Sequence, residues 1–260
     1  MSAPILSVHG LTKRFGGLTA LDNVEFVLPS GELHAIIGPN GAGKTTFFNL
    51  VSGFLRPTAG TVLFNGEDIT GQPTHRISQL GMARTLQIKS VFNALTVYEN
   101  VWIAAHSLSK KYLHPFRAAA SYRDTADIVS WALDTVGISE LSDEVAGNLA
   151  YGDVALLEIA IAVAMRPKLL LLDEPVAGMS PEETQRTVRK IKDLSKSINT
   201  LLIEHDVEAV FQIAERITVM TQGAVLCQGS AREIANDPRV QEAYLGVPVE
   251  PKARSEPPHA

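Results

Sequence analysis

The sequence predicts an α/β fold built on a parallel sheet, and three stretches carry that prediction. Leu33-His34-Ala35-Ile36-Ile37, Leu169-Leu170-Leu171-Leu172 and Thr200-Leu201-Leu202-Ile203-Glu204 are short, mostly apolar runs, the pattern of strands covered on both faces. The first leads into Gly38-Pro39-Asn40-Gly41-Ala42-Gly43-Lys44-Thr45, with Thr46 behind it, which fits the phosphate-binding pattern G-x-x-x-x-G-K-[ST]. The second ends on Asp173-Glu174, at the strand terminus where α/β folds collect ligand chemistry.

The other elements follow in chain order. Residues 5–8 and 24–28 read as strands around a turn containing Gly16-Gly17, with Phe15 in the turn region. From Thr45 to Leu55 the apolar residues Phe48, Val51 and Leu55 fall at helical spacing with no proline. Thr61 to Phe64 is a strand stopped by the hairpin signal Asn65-Gly66. Residues 74–80 read as a short helix and 82–87 as a strand leading to a polar loop. From Thr96 to Met165 the pattern turns helical, and Thr125 to Val136 is amphipathic through Ile128, Val129, Ala132, Leu133 and Val136. Pro181 to Ser195 is a helix with Glu182 and Glu183 in its first turn, as the helix dipole favours. A second helix covers Val207 to Ala214, and residues 217–220 and 224–226 form a hairpin through Gln222-Gly223. The tail from residue 247 to 260 is proline-rich without apolar periodicity and is expected to be disordered.

Composition bounds the function. The chain has 260 residues, 45% hydrophobic, and a net charge of −5, which argues against a basic nucleic-acid-binding face. Its single cysteine, Cys227, excludes an internal disulfide or cysteine metal cluster and reads as a small buried apolar residue. No apolar stretch reaches the roughly 18–20 residues that span a bilayer. The most apolar region, Val154 to Leu172, is interrupted by Glu158, Arg166, Pro167 and Lys168, so any membrane role is expected to come through a partner. The basic, aromatic stretch 110–117 reads as a solvated loop.

Within the glycine-rich loop, glycines let backbone N–H groups converge on a phosphate, and the helix N-terminus adds partial positive charge. Lys44 would reach the β- and γ-phosphates, and the Thr45 hydroxyl would coordinate Mg²⁺. A chance match to the pattern in a chain of this length is on the order of one in a hundred. Asp173 would hold Mg²⁺ from the opposite side, and Glu174 would polarise the attacking water. His205, also at a strand terminus, has an imidazole able to bond both a γ-phosphate oxygen and that water. Gln87 has an amide able to reach either the metal or the water.

Together these residues resemble the ATP-binding-cassette ATPases over about residues 5–246. Besides the phosphate loop, the match takes in Gln87, the signature Leu149-Ala150-Tyr151-Gly152-Asp153, the strand Leu170 to Pro175, the turn Ala177-Gly178-Met179-Ser180, and His205. The resemblance implies a RecA-like core, an antiparallel β subdomain and a helical subdomain inserted at about 96–165. It makes Phe15 the residue that stacks on adenine. It implies that two copies dimerise head to tail, with ATP and Mg²⁺ between each phosphate loop and the partner's Ala150, Tyr151 and Gly152.

Five segments narrow the resemblance to the ATPase of bacterial branched-chain amino acid importers: Phe15 to Leu18, Arg84 to Gln87, Leu149 to Gly152, Ile203 to Asp206 and Ala243 to Gly246. The long segment 105–125 suits that group, while Leu172 to Met179 is equally similar to urea and short-amide importers. The partners implied are integral membrane permease subunits, a second ATPase and an extracytoplasmic substrate-binding protein. The place implied is the cytoplasmic face of the plasma membrane, and no nucleic acid is expected. Val91, Phe92 and Leu95 are the candidate contact with a permease helix. Asp153, Ile161 and Ser180 depart from the family pattern. They motivate an alternative reading as a low-turnover, nucleotide-gated dimerisation module. A GTPase is disfavoured because the guanine motif Asn-Lys-x-Asp does not occur.

Overall fold

Side chains alternate across a strand, and in the strand Leu169–Asp173 that alternation serves two cores. Leu169 and Leu171 pack into one hydrophobic cluster and Leu170 and Leu172 into another, all four fully buried. The uninterrupted apolar run is therefore the signature of a layer covered on both sides.

The computed structural model describes residues 3–85, 91–107 and 123–245. Two sheets organise them. One is antiparallel and four-stranded, made of β1 (Leu6–Phe15), β2 (Leu18–Leu28), β4 (Ala59–Phe64) and β5 (Glu67–Asp68) in the order β2-β1-β4-β5. The other contains β3 (Leu33–Ile37), β6 (Met82–Arg84), β7 (Leu169–Asp173), β8 (Asn199–Ile203), β9 (Arg216–Thr221) and β10 (Ala224–Gly229) in the order β10-β9-β3-β8-β7-β6. Pairing is parallel from β6 through β9, and β10 joins as an antiparallel hairpin. The strand that feeds the phosphate loop, β3, is therefore central, and the strand that ends at Asp173 lies one strand removed from it.

Helix α1 (Lys44–Val51) packs between the two sheets, with Phe47 and Phe48 fully buried beside Phe26 and Phe64. Between β6 and β7 the chain forms α3 (Val97–Ser107), α4 (Arg123–Val136) and α5 (Tyr151–Ala164), which pack on one another. Helix α5 is apolar on nearly all sides, as a helix enclosed by α3, α4 and α6 (Pro181–Ser195) must be. The remaining helices are α2 (Thr74–Leu80), α7 (Val207–Ile213), α8 (Ala231–Ala235) and α9 (Pro238–Leu245).

Several boundaries differ from the sequence reading. Strands β1 and β2 run almost to the Gly16-Gly17 turn, because bulges between Val8 and Arg14 break the alternation that would have marked them. Phe15 consequently ends a strand. Helix α1 stops at Val51 and not at Leu55, because Gly53 turns the chain at φ +77°, where a Cβ would lie 2.5 Å from Gln72 O. Strand β6 ends at Arg84, and Gln87 lies outside the described residues, as do segment 110–117 and the tail from 247 to 260. Cys227 is half-buried on β10 and not fully enclosed. Helices α8 and α9 were not expected; α8 is short, though its Ser230 and Glu233 form a capping box.

Candidate functional site

The phosphate loop is held by close packing at its first residue. A Cβ on Gly38 would lie 2.2 Å from Met220 O, so no other residue fits against β9. The loop closes at Gly43, whose φ of 99° sets the N-terminus of α1, and Phe47 N–H donates to Gly43 O at 2.8 Å. Lys44, only 7% exposed, folds back so that its ammonium donates to Gly38 O at 2.7 Å and Pro39 O at 3.1 Å. Burial lowers its pKa, while the charges of Glu174 and Asp173 oppose that shift. The cation is thus stored on loop carbonyls, partners that an incoming phosphate can replace.

A cleft of about 560 Å³ opens over this loop. Its walls bring together Asn40 to Thr46, Phe15 and Glu174. Phe15 is 45% exposed, and the Lys13 ammonium sits 4.9 Å from its ring centroid. Lys13 also donates to Arg56 O at 2.7 Å, which helps hold its ammonium over the ring.

At the end of β7, Asp173 is buried, and one carboxylate oxygen accepts from Arg84 at 2.7 Å. Burial raises its pKa; the Arg84 hydrogen bond and charge oppose the rise. Its second oxygen, Oδ1, is buried without a hydrogen-bond partner. An unpaired, buried carboxylate oxygen is the kind of donor a hard divalent cation takes. Among the described residues no cluster of three His, Cys, Asp or Glu side chains occurs. A cation here would therefore take a single carboxylate, Thr45 and phosphate oxygens, the donor set Mg²⁺ accepts.

Glu174 has left-handed backbone, φ 51°, held by its N–H donating to Ile203 O at 2.9 Å. That turn sends its carboxylate into the cleft beside Lys44. His205 Nδ1 lies 3.8 Å from Glu174 Oε2, with the imidazole 57% exposed. Sequence reasoning missed the residue that sets this pair. Glu204, 1% exposed, accepts from Val176 N–H at 3.0 Å and from His205 N–H at 3.1 Å. One carboxylate thereby joins the turn after Glu174 to the residue carrying the imidazole. Burial raises its pKa, and the backbone hydrogen bonds to Val176 and His205 oppose that. The available signal was an acidic residue at the end of an otherwise apolar strand. Arg84 was read only as part of the family resemblance, and nothing in its local sequence marks it as a buried partner of Asp173.

Ala150, Tyr151 and Gly152 do not line the cleft around Lys44; they form the start of α5, against the turn that precedes α6. Ala150 offers no side-chain cap. Glu183 supplies one instead: Oε1 accepts from Gly152 N–H at 3.0 Å, and Oε2 accepts from Ser180 N–H at 3.0 Å. Ser180 caps α6 reciprocally through Glu183 N–H. Asp153 is paired with Arg186 at 2.8 Å. Two departures from the family pattern, Asp153 and Ser180, therefore each have an internal partner. Ile161, the third, lines an apolar groove of about 300 Å³ with Phe54, Ile77, Met82, Ala104 and Met165. In the loop before α3, Phe92 is 58% exposed, Leu95 and Val91 are half-buried, and Asn100 fixes this loop by accepting from Phe92 N–H at 2.8 Å.

Residues 21–177 match the ABC transporter family, and residues 224–250 match a C-terminal segment described as branched-chain amino acid ATP-binding cassette transporter. The chain is 43% identical over 255 residues to the high-affinity branched-chain amino acid transport ATP-binding protein LivG of Escherichia coli K12, covering 95% of this chain and 99% of that one. It is 42% identical to the corresponding protein BraF of Pseudomonas aeruginosa, over 95% and 99% of the two chains. Among solved structures, the ADP conformation of an ATP-binding cassette of an ABC transporter superposes with a TM-score of 0.83 at 30% identity, covering 95% of this chain and all of that one. A nucleotide-free cassette gives 0.81 at 29% identity, over 93% and 99%.

Proposed function

Because the chain belongs to the ABC transporter family as an ATP-hydrolysing cassette, we propose that it powers uptake of branched-chain or other small amino acids. Agreement with LivG and BraF over nearly their whole length, extending into the C-terminal segment, favours this cargo over urea or short amides. The observation that carries the site assignment is the convergence of Lys44, Thr45 and Glu174 on one cleft, with Asp173 buried behind it.

In this reading Lys44 leaves the Gly38 and Pro39 carbonyls to neutralise the β- and γ-phosphates. Thr45 and Asp173 would hold Mg²⁺, which would offset phosphate charge, and Gln87 would join the metal or the water. Phe15 stacks on adenine. Glu174 orients or deprotonates the water, and His205 holds it against the γ-phosphate. Positioning and charge stabilisation supply the rate, since phosphoryl transfer asks for little covalent chemistry from the protein.

A second ATPase copy places Ala150, Tyr151 and Gly152 over the γ-phosphate, which accounts for their distance from the cleft of their own chain. No helix among the described residues is long and apolar enough to cross a membrane. In this reading the subunit works at the cytoplasmic face, bound to permease subunits fed by a substrate-binding protein. Val91, Phe92 and Leu95 contact a permease helix.

Substitution Lys44→Ala tests the assignment. ATP binding or turnover is expected to be lost, and wild-type hydrolysis by this variant would remove the basis for the site.

A further inference from the structure

Arg84, at the end of β6, touches both halves of the phosphate site. Its side chain is 8% exposed. One terminal nitrogen donates to Asp173 Oδ2 at 2.7 Å. The other donates to Asn49 Oδ1 at 2.8 Å and to Ser52 Oγ at 3.0 Å. The guanidinium carbon lies 5.5 Å from the Phe48 ring centroid and 5.3 Å from that of Phe54. Asn49 is on α1, four residues beyond Thr45 and therefore on the same helix face. Arg84 thus connects the strand that presents Asp173 to the helix that begins at the phosphate loop.

This clamp divides the two oxygens of Asp173. Oδ2 is committed to Arg84, and Oδ1 is buried with no partner. Burying a carboxylate oxygen unpaired is costly, so a fold that does so while pinning the other oxygen is presenting it to something. A planar guanidinium fork can fix orientation in this way, and a lysine ammonium cannot.

We propose that Arg84 is a positioning residue for the divalent cation of the ATPase. It orients Asp173 so that Oδ1 alone is offered to the metal, and it holds that oxygen in register with α1, where Thr45 resides. The proposal rests on the reading of Asp173 and Thr45 as cation ligands. A purely structural ion pair would affect stability and nucleotide affinity without singling out the metal.

The test uses the full chain loaded with ADP. Mn²⁺ affinity is measured by electron paramagnetic resonance, and ADP affinity is measured separately in the presence of EDTA. Arg84→Met is expected to weaken Mn²⁺ binding by about 10-fold or more, the usual cost of losing a partner that orients a metal ligand. Metal-free ADP affinity should stay within about twofold, since Arg84 is proposed to act through the metal ligand alone. Unchanged or tighter Mn²⁺ binding, or an equal loss of both affinities, overturns the proposal. Asp173→Asn separates the two levels. If it too leaves Mn²⁺ affinity unchanged, the ligand assignment fails; if it weakens Mn²⁺ while Arg84→Met does not, only the role of Arg84 fails. Should Arg84→Met not fold, Arg84→Lys keeps the buried charge and loses the fork. A threefold or greater weakening of Mn²⁺ in that variant supports the proposal (on the order of the lower end expected for such partners), and a smaller change overturns it.

Discussion

Replacing Glu204 by alanine isolates the contact that ties the turn after Glu174 to His205. The wild-type carboxylate, 1% exposed, accepts from Val176 N–H at 3.0 Å and His205 N–H at 3.1 Å. Its removal strands two amides at about 1–3 kcal/mol each. Relief of the carboxylate's own desolvation offsets part of that loss. The net destabilisation is about 2–4 kcal/mol, a fall in Tm of roughly 5–15 °C for a chain of this size.

The pH dependence has a definite sign. Burial raises the Glu204 pKa in the folded state, so its protonated form is the one that folding favours. The associated stability is present below the ordinary glutamate pKa and is lost as pH rises through the raised value. The gap between wild type and Glu204→Ala should therefore be widest in acid and narrow toward neutral pH. Thermal unfolding followed by circular dichroism at several pH values measures both effects. A Tm within about 1 °C of wild type, less than the loss of even one such bond requires, would refute the reasoning. So would a gap that widens as pH rises.

Other contacts give contrasting expectations. His205→Ala should leave Tm nearly unchanged, because the imidazole is 57% exposed and its closest acidic contacts are 3.8 Å away, yet lower kcat by about 10²–10⁴-fold; calorimetry and phosphate release read the two separately. Glu183→Ala removes an acceptor from Gly152 N–H and dissolves the capping box at Ser180, and should cost about 1–2 kcal/mol. Arg186→Ala breaks a pair whose arginine side chain is 44% exposed and should cost no more than about 1 kcal/mol; urea titration of both variants checks that ordering.

The residues most legible in the sequence are those whose chemistry requires a fixed local pattern. The phosphate loop declares itself through spacing, and Leu169 to Leu172 declare two-sided burial through unbroken apolarity. Asp173 and Glu174 are legible because they end such a strand. Glu204 was less so, because its partners are backbone amides of Val176 and His205 that no side-chain pattern records. Arg84 was hidden because Asp173 is 89 positions away in the chain. The bond of Asp153 to Arg186 on α6 was hidden in the same way, its partner lying 33 positions away. Strand length in β1 and β2 was underestimated for a different reason: bulges interrupt the period on which the reading depends.

The proposed hydrolysis of ATP rests on Glu174. Steady-state phosphate release by the purified chain and by Glu174→Gln, each shown to bind ATP, tests it most directly. Wild type should turn over, at a rate per molecule that rises with protein concentration as dimers form. Glu174→Gln should retain ATP with turnover reduced at least about 100-fold, the lower range for loss of a positioned base. Equal rates for the two proteins would contradict the account.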